Sequence, residues 1–209
     1  RVAGEIGGVA VPADVTDRAS VDGAVDQARA AHGPLSILVN NAGAATSAPF
    51  ARVTAEDWRA AMATNLDALL HCCQAALPDL LAAADGRIVT VASTAGLKGY
   101  AYTAPYVAAK HGAIGLTRAL AVEHARTTLT VNAVCPGFTD TEIVADAVAR
   151  IRDRTGRSDE DARAELARFN PQGRLIDPQE VADAVTWLCL PGSRSITGQA
   201  IAVAGGEVS

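Results

Sequence analysis

Residues 35–43 read LSILVNNAG, an apolar run that breaks into two asparagines, an alanine and a glycine. A short run of Leu, Ile and Val closed by turn residues is the mark of a strand buried on both faces. The design recurs along the chain. RIVTVAS (87–93), LTVNAVCPG (129–137) and GQAIAVAGG (198–206) are further strands, and GVAVPAD (8–14), after a Gly-Gly helix stop, reads as another. Helical stretches separate them: 17–33, 54–86, 104–125, 141–169 and 177–190. The helix at 54 begins with Thr54 as N-cap and with Glu56 and Asp57 in its first turn, and Pro78 is expected to kink it. Asp177 and Pro178 start the last helix. Apolar strands alternating with helices give one α/β domain over residues 1–209, a doubly wound parallel sheet covered on both faces.

Composition narrows the function. Hydrophobic residues make up 49% and aromatics only 4%, so the core is aliphatic. A net charge of −5 without a basic run argues against nucleic acid and anionic membranes as partners. No apolar run reaches the roughly 18 residues a membrane span needs. Cys72, Cys73, Cys135 and Cys189 form no CxxC pair. They read as reduced apolar fillers of a cytoplasmic protein, with no metal site.

In a doubly wound sheet the ligand lies beyond the carboxyl ends of the strands. The residues there are Asp14 and Val15, then Asn40, Asn41, Ala42 and Gly43, then Ser93, then Pro136 and Gly137. Asn40 and Asn41 supply amides, and Ala42 and Gly43 are small enough for a flat ligand to approach the backbone. A strand-end turn accounts for Gly43 equally well. Thr139 and Thr141 follow the Pro-Gly turn, where hydroxyls suit a carboxamide, a phosphate or the cap of the next helix.

TAPYVAAKHG (103–112) carries the sharpest chemistry. Of 18 basic residues only Lys98 and Lys110 are lysines, and Lys110 stands one helical turn after Tyr106. An ammonium beside a phenol favours the phenolate. Bringing a phenol from about 10 to about 7 takes roughly 4 kcal/mol, and Coulomb attraction at close range is of that order. The pair is also compatible with ordinary helix surface. Ser93, thirteen residues before Tyr106, is placed either to donate to a substrate carbonyl or to cap a turn. Asn65 interrupts a helix in MATNLDAL. It serves there as a buried helix-fixing hydrogen bond or as the anchor of a water in a proton path. His111 and His124 read as helix residues without a catalytic role.

Taken in order, NNAG, the helix Asn65, Ser93, YxxxK at 106–110 and the Pro-Gly turn ending in Thr resemble the short-chain dehydrogenase/reductase family. The resemblance runs from residue 14 to residue 141, and the closing helix and strand extend it over nearly the whole chain. It implies a Rossmann-like fold and NAD or NADP as cofactor. It implies Tyr106 as general acid in reduction and base in oxidation. Lys110 would lower the phenol pKa and hold the nicotinamide ribose. Ser93 would orient the carbonyl, and Asn65 would hold a water linking Lys110 to solvent. Asp14 and Val15 would contact adenine, Asn40 to Gly43 the adenosine side, and Pro136, Gly137, Thr139 and Thr141 the nicotinamide. A homo-oligomer, usually a tetramer, is implied as well.

The family's opening strand, its TGxxxGxG diphosphate turn and its second strand are not in this sequence. The resemblance places roughly 45 to 50 further residues before it, so the sequence is expected to be a portion of a longer polypeptide. Strand 8–14 is then expected to lack a neighbour and strand 35–43 to have an open edge. The residue that chooses NAD or NADP falls in the same gap. Residues 94–103 and 141–170 are expected to form the substrate wall and lid. The stretch 100–138 looks most like reductases of 3-oxoacyl thioesters linked to CoA or a carrier protein, including polyketide ketoreductases. The alternatives are a dehydrogenase of a cyclic or sugar secondary alcohol and an inactive structural or binding relative.

Overall fold

The computed structural model describes residues 2–208. Four strands form one parallel sheet in the order β1-β2-β3-β4: β1 Ile37–Asn40, β2 Arg87–Val91, β3 Thr130–Pro136 and β4 Ala200–Val203. The helices are α1 Val2–Glu5, α2 Arg18–His32, α3 Ala55–Met62, α4 Ala68–Ala82, α5 Ala104–Glu123, α6 Glu142–Thr155, α7 Asp159–Ala167 and α8 Pro178–Cys189.

Strand periodicity distributes the core to both faces. Ile88 and Val131 pack with Cys73, Ala76 and Leu80 of α4 and Ala121 of α5, while Ala133 and Cys135 meet Ile114 of α5. Val89 and Val134 point the other way, onto Leu188 of α8. Each such fully buried aliphatic side chain stabilises the fold by roughly 1.5–3 kcal/mol. The expected two-faced parallel sheet is therefore present.

Three expectations are corrected. Residues 8–14 form no strand. No strand of the described residues lies alongside them, so their backbone groups have no ladder to join. On the same side of the sheet β1 pairs only with β2, and its Ile37 and Val39 are 44% and 43% exposed. The helix expected over 54–86 departs from α geometry at a π turn, Ala63–Asp67, and runs on through Pro78 to Ala82. Pro78 costs about 3 kcal/mol in a helix interior. Around it, Ala76 and Leu80 are fully buried, and Asp79 accepts from Arg29 at 2.7 Å and from the Leu35 amide at 3.0 Å. The helical stretch 141–169 is two helices, divided where Gly156 takes φ +70° and Ser158 caps α7. The caps foreseen at Thr54 and Asp177 are both present as capping boxes.

Candidate active site

Four elements bring the site together at the carboxyl ends of the strands. The π turn matters first. Ala68 N–H reaches back to Ala63 O, five residues away, which widens the helix and turns Asn65 inward. Asn65 is 1% exposed. Its amide nitrogen donates to Ala61 O and to Ala44 O, both at 3.0 Å, and its oxygen accepts from Ala44 N at 3.3 Å. The turn after β1 is thereby clamped to the helix. A side chain at Gly43 would bring its Cβ within 3.1 Å of Asn65 Oδ1 and 3.5 Å of Lys110 Nζ. Glycine keeps that approach open.

Lys110 lies on α5 and is 4% exposed. Its ammonium donates to Val91 O, the last carbonyl of β2, at 3.0 Å, and sits 5.6 Å from the Tyr106 ring centroid. Ser93 stands two residues beyond that carbonyl. Its hydroxyl accepts from Ala95 N at 3.0 Å, capping a short 3-10 turn, and lies near enough to the Tyr106 phenol to lower its pKa. Of the two readings of Ser93, the turn cap is present. Gly96 was not foreseen from the sequence. A Cβ there would fall 2.7 Å from Lys110 O and 2.6 Å from Ile114 Cδ1, so only glycine lets the Ser93 turn lie flat on α5.

The electrostatics differ from the sequence expectation. Burial raises the Tyr106 pKa, and the nearby Ser93 hydroxyl opposes that only in part. Burial also depresses Lys110 to about 8. Here desolvation outweighs the expected acidification of the phenol.

The remaining residues divide by position. Asn40 is buried under the sheet end, 3.4 Å from Thr90 Oγ1, whereas Asn41 is exposed. Asp14 accepts from the amide and hydroxyl of Thr16, and Val15 O meets His71 of α4 at 3.2 Å. Asp14, Val15 and Thr16, with Thr64 of the π turn, line an open groove of about 600 Å³. Pro136 and Gly137 end β3, Thr139 Oγ1 turns back to Gly137 O at 3.1 Å, and Thr141 takes the N-cap position of α6 without a side-chain cap bond.

The groups present fit a nicotinamide nucleotide. One Lys110 proton goes to Val91 O, and no other hydrogen-bond acceptor meets its ammonium among the described residues. Two donors remain for ribose hydroxyls beside a turn kept clear of side-chain bulk.

Comparison with known proteins identifies the family. Residues 1–207 match the family model described as enoyl-(acyl carrier protein) reductase. The chain belongs to the short-chain dehydrogenase/reductase family. It is an oxidoreductase of NAD(P)-dependent type. A Streptomyces coelicolor protein provisionally named a ketoacyl reductase is 41% identical, over 84% of this chain and 68% of its own length. The cis-4-hydroxycyclohexanecarboxylate dehydrogenase of Sinomonas cyclohexanicum is 39% identical over 94% and 75%. A variant of actinorhodin polyketide ketoreductase, crystallised with NADPH, superposes with a TM-score of 0.89 at 38% identity, covering 93% of this chain and 76% of that one.

Proposed function

We propose that this dehydrogenase/reductase moves hydride between a nicotinamide cofactor and the carbonyl or hydroxyl carbon of a 3-oxoacyl or 3-hydroxyacyl thioester, carried on CoA or a carrier protein. The observation that carries the reading is the Lys110 ammonium, held by Val91 O 5.6 Å from the Tyr106 ring centroid, with the Ser93 hydroxyl near enough to the phenol to lower its pKa. The nicotinamide, when bound, supplies or takes up the hydride. In reduction Ser93 donates to the carbonyl oxygen. Tyr106 gives that oxygen its proton as the carbon accepts two electrons and becomes an alcohol carbon. Lys110 holds ribose hydroxyls and favours the phenolate that remains. Asn65 fixes the turn at Ala44 and anchors the path by which Lys110 exchanges protons with solvent.

Support for the thioester comes from relatives named as ketoacyl reductases and as 3-oxoacyl-[acyl-carrier-protein] reductase FabG. The competing substrate, a cyclic or sugar secondary alcohol, draws on the hydroxycyclohexanecarboxylate dehydrogenase and on an aldohexose dehydrogenase structure from Thermoplasma acidophilum, TM-score 0.86. Titration with NADH and NADPH separately, then rates with acetoacetyl-CoA and with secondary alcohols, decides between them. Turnover of alcohols alone overturns the thioester reading. Tyr106→Phe is expected to lower turnover at least 10²-fold with cofactor affinity kept. We further propose a homo-oligomer, a tetramer, formed through the alanine-rich faces of α4 and α5. Exposed Leu70 and Val122 lie on these helices. Sedimentation velocity tests it.

A further inference from the structure

The chain's other lysine stands in a second polar cluster next to the Ser93 turn. Lys98 Nζ lies 3.1 Å from Glu207 Oε1 and 5.0 Å from the centroid of the Tyr100 ring. The Glu207 side chain is 1% exposed. Tyr100 donates its hydroxyl proton to the same carboxylate oxygen. Thr94 Oγ1 is 2.6 Å from the Tyr100 oxygen. Tyr100 has one proton, already committed to Glu207, so Thr94 is the donor of that bond. A directed chain results, from Thr94 to Tyr100 to Glu207, with Lys98 closing it from outside. Thr94 is the residue after Ser93. The Tyr100 ring also packs edge-on against Phe138, just past the β3 turn, and Phe169, at the end of the lid, each 5.9 Å between centroids.

The other oxygen, Glu207 Oε2, is buried with no hydrogen-bond partner among the described residues. A Cβ at Gly137 would come within 2.9 Å of it, so this carboxylate lies against the turn that ends β3. A buried charge with one bare oxygen is costly, and nothing in sheet packing requires it there. Two turns that the reaction needs in register, Ser93–Gly96 and Pro136–Thr139, meet on this one side chain.

We propose that Glu207 is a positioning residue of the reaction: through Tyr100 and Thr94 it sets the Ser93 hydroxyl, and through its contact at Gly137 it sets the opposite wall of the carbonyl cleft. The proposal deepens the carbonyl-reductase reading and rests on it. Glu207 touches neither reacting atom, so its effect belongs to turnover and not to cofactor affinity.

The test uses the intact protein with Glu207→Ala, Tyr100→Phe, the double variant and Glu207→Gln. Each of the first two is expected to lower kcat about tenfold with the carbonyl substrate the wild type reduces best, because small misplacements of an orienting group are costly. The NADPH Kd stays within twofold. The double variant is no worse than the poorer single, since both cut one chain. Glu207→Gln, whose amide oxygen still accepts from Tyr100, recovers kcat to within about threefold. Amide hydrogen exchange rises over 93–97 and 136–141 together in Glu207→Ala. The proposal fails if Glu207→Ala keeps kcat within twofold, if the two single effects multiply, or if faster exchange is confined to 205–208. If the wild type reduces no carbonyl substrate, the functional reading falls, and the exchange measurement still decides whether Glu207 holds the two turns.

Discussion

Lys110, the ammonium of the proposed site, is buried at the expense of stability. Its pKa falls from 10.5 to about 8 on burial. The unfolded chain therefore binds more protons than the folded one between pH 8 and 10.5, and stability rises with pH through that window. Below pH 8 both states are protonated and the full cost of the buried charge is present. A depression of this size corresponds to something on the order of 3 kcal/mol. Chemical denaturation of wild type and Lys110→Met from pH 7 to 10.5 should show the wild type gaining on the variant by that order. A constant difference would mean that the ammonium is not the buried charge the geometry makes it. Activity should respond in the opposite sense. The rate of reduction should fall above about pH 8 as Lys110 loses its proton. Burial raises the Tyr106 pKa, which opposes its own loss of a proton in that window. The sequence made the Tyr106–Lys110 pair legible, because spacing on a helix is a local property. It did not make the direction of the phenol shift legible, because desolvation depends on what the rest of the chain places around the ring.

At the scale of elements, the strands and helices that pack on both faces were readable from periodicity, and the helix starts at Thr54 and Asp177 from the residues there, though not their capping boxes. The division of the lid was also written locally, in TGRSDED, where Gly156 and Ser158 are an ordinary stop and start. The π turn was not readable. MATNLDAL fits α-helical periodicity, and only Ala44, twenty-one residues away, gives Asn65 a reason to turn inward. Residues 8–14 carry the composition of a strand, but a strand exists only where another lies beside it. Gly96 belongs to this scale too, since it permits one element to touch another. Gly96→Ala would press a methyl group into the backbone of Lys110. Overpacking of this kind costs about 1–3 kcal/mol. Because the displaced turn carries Ser93, thermal melting and kcat are both expected to fall. A loss of stability with kcat intact would show that the Ser93 turn can shift without affecting the chemistry.

Across the whole molecule, the groups of the candidate site come from strand ends far apart in sequence, and the proposed lid over 141–170 needs an anchor on the sheet if the cleft is to have a fixed shape. The anchor is at the end of β4. Asn170, 3% exposed, follows α7. Its side chain donates to Arg174 O at 2.8 Å and accepts from Gln172 N at 2.9 Å, which folds the end of the lid on itself. Gly205 takes φ +59°, and a Cβ there would fall 1.9 Å from Asn170 Oδ1. Gly205→Ala therefore carries two penalties, a left-handed backbone and a collision with a buried amide whose own hydrogen bonds hold it in place. Relief can come only by moving the 170–174 turn away from the sheet. The expected outcome is a loss of about 1–3 kcal/mol in stability. It should come with a KM for the carbonyl substrate raised several-fold and a cofactor Kd unchanged, since the side-chain hydrogen bonds of Asn170 stay within its own turn. Equal losses in substrate and cofactor affinity would mean that the lid and the nucleotide site move as one unit. Asn170→Ala at the same contact separates the two penalties: it removes the collision in the double variant and leaves only the backbone term.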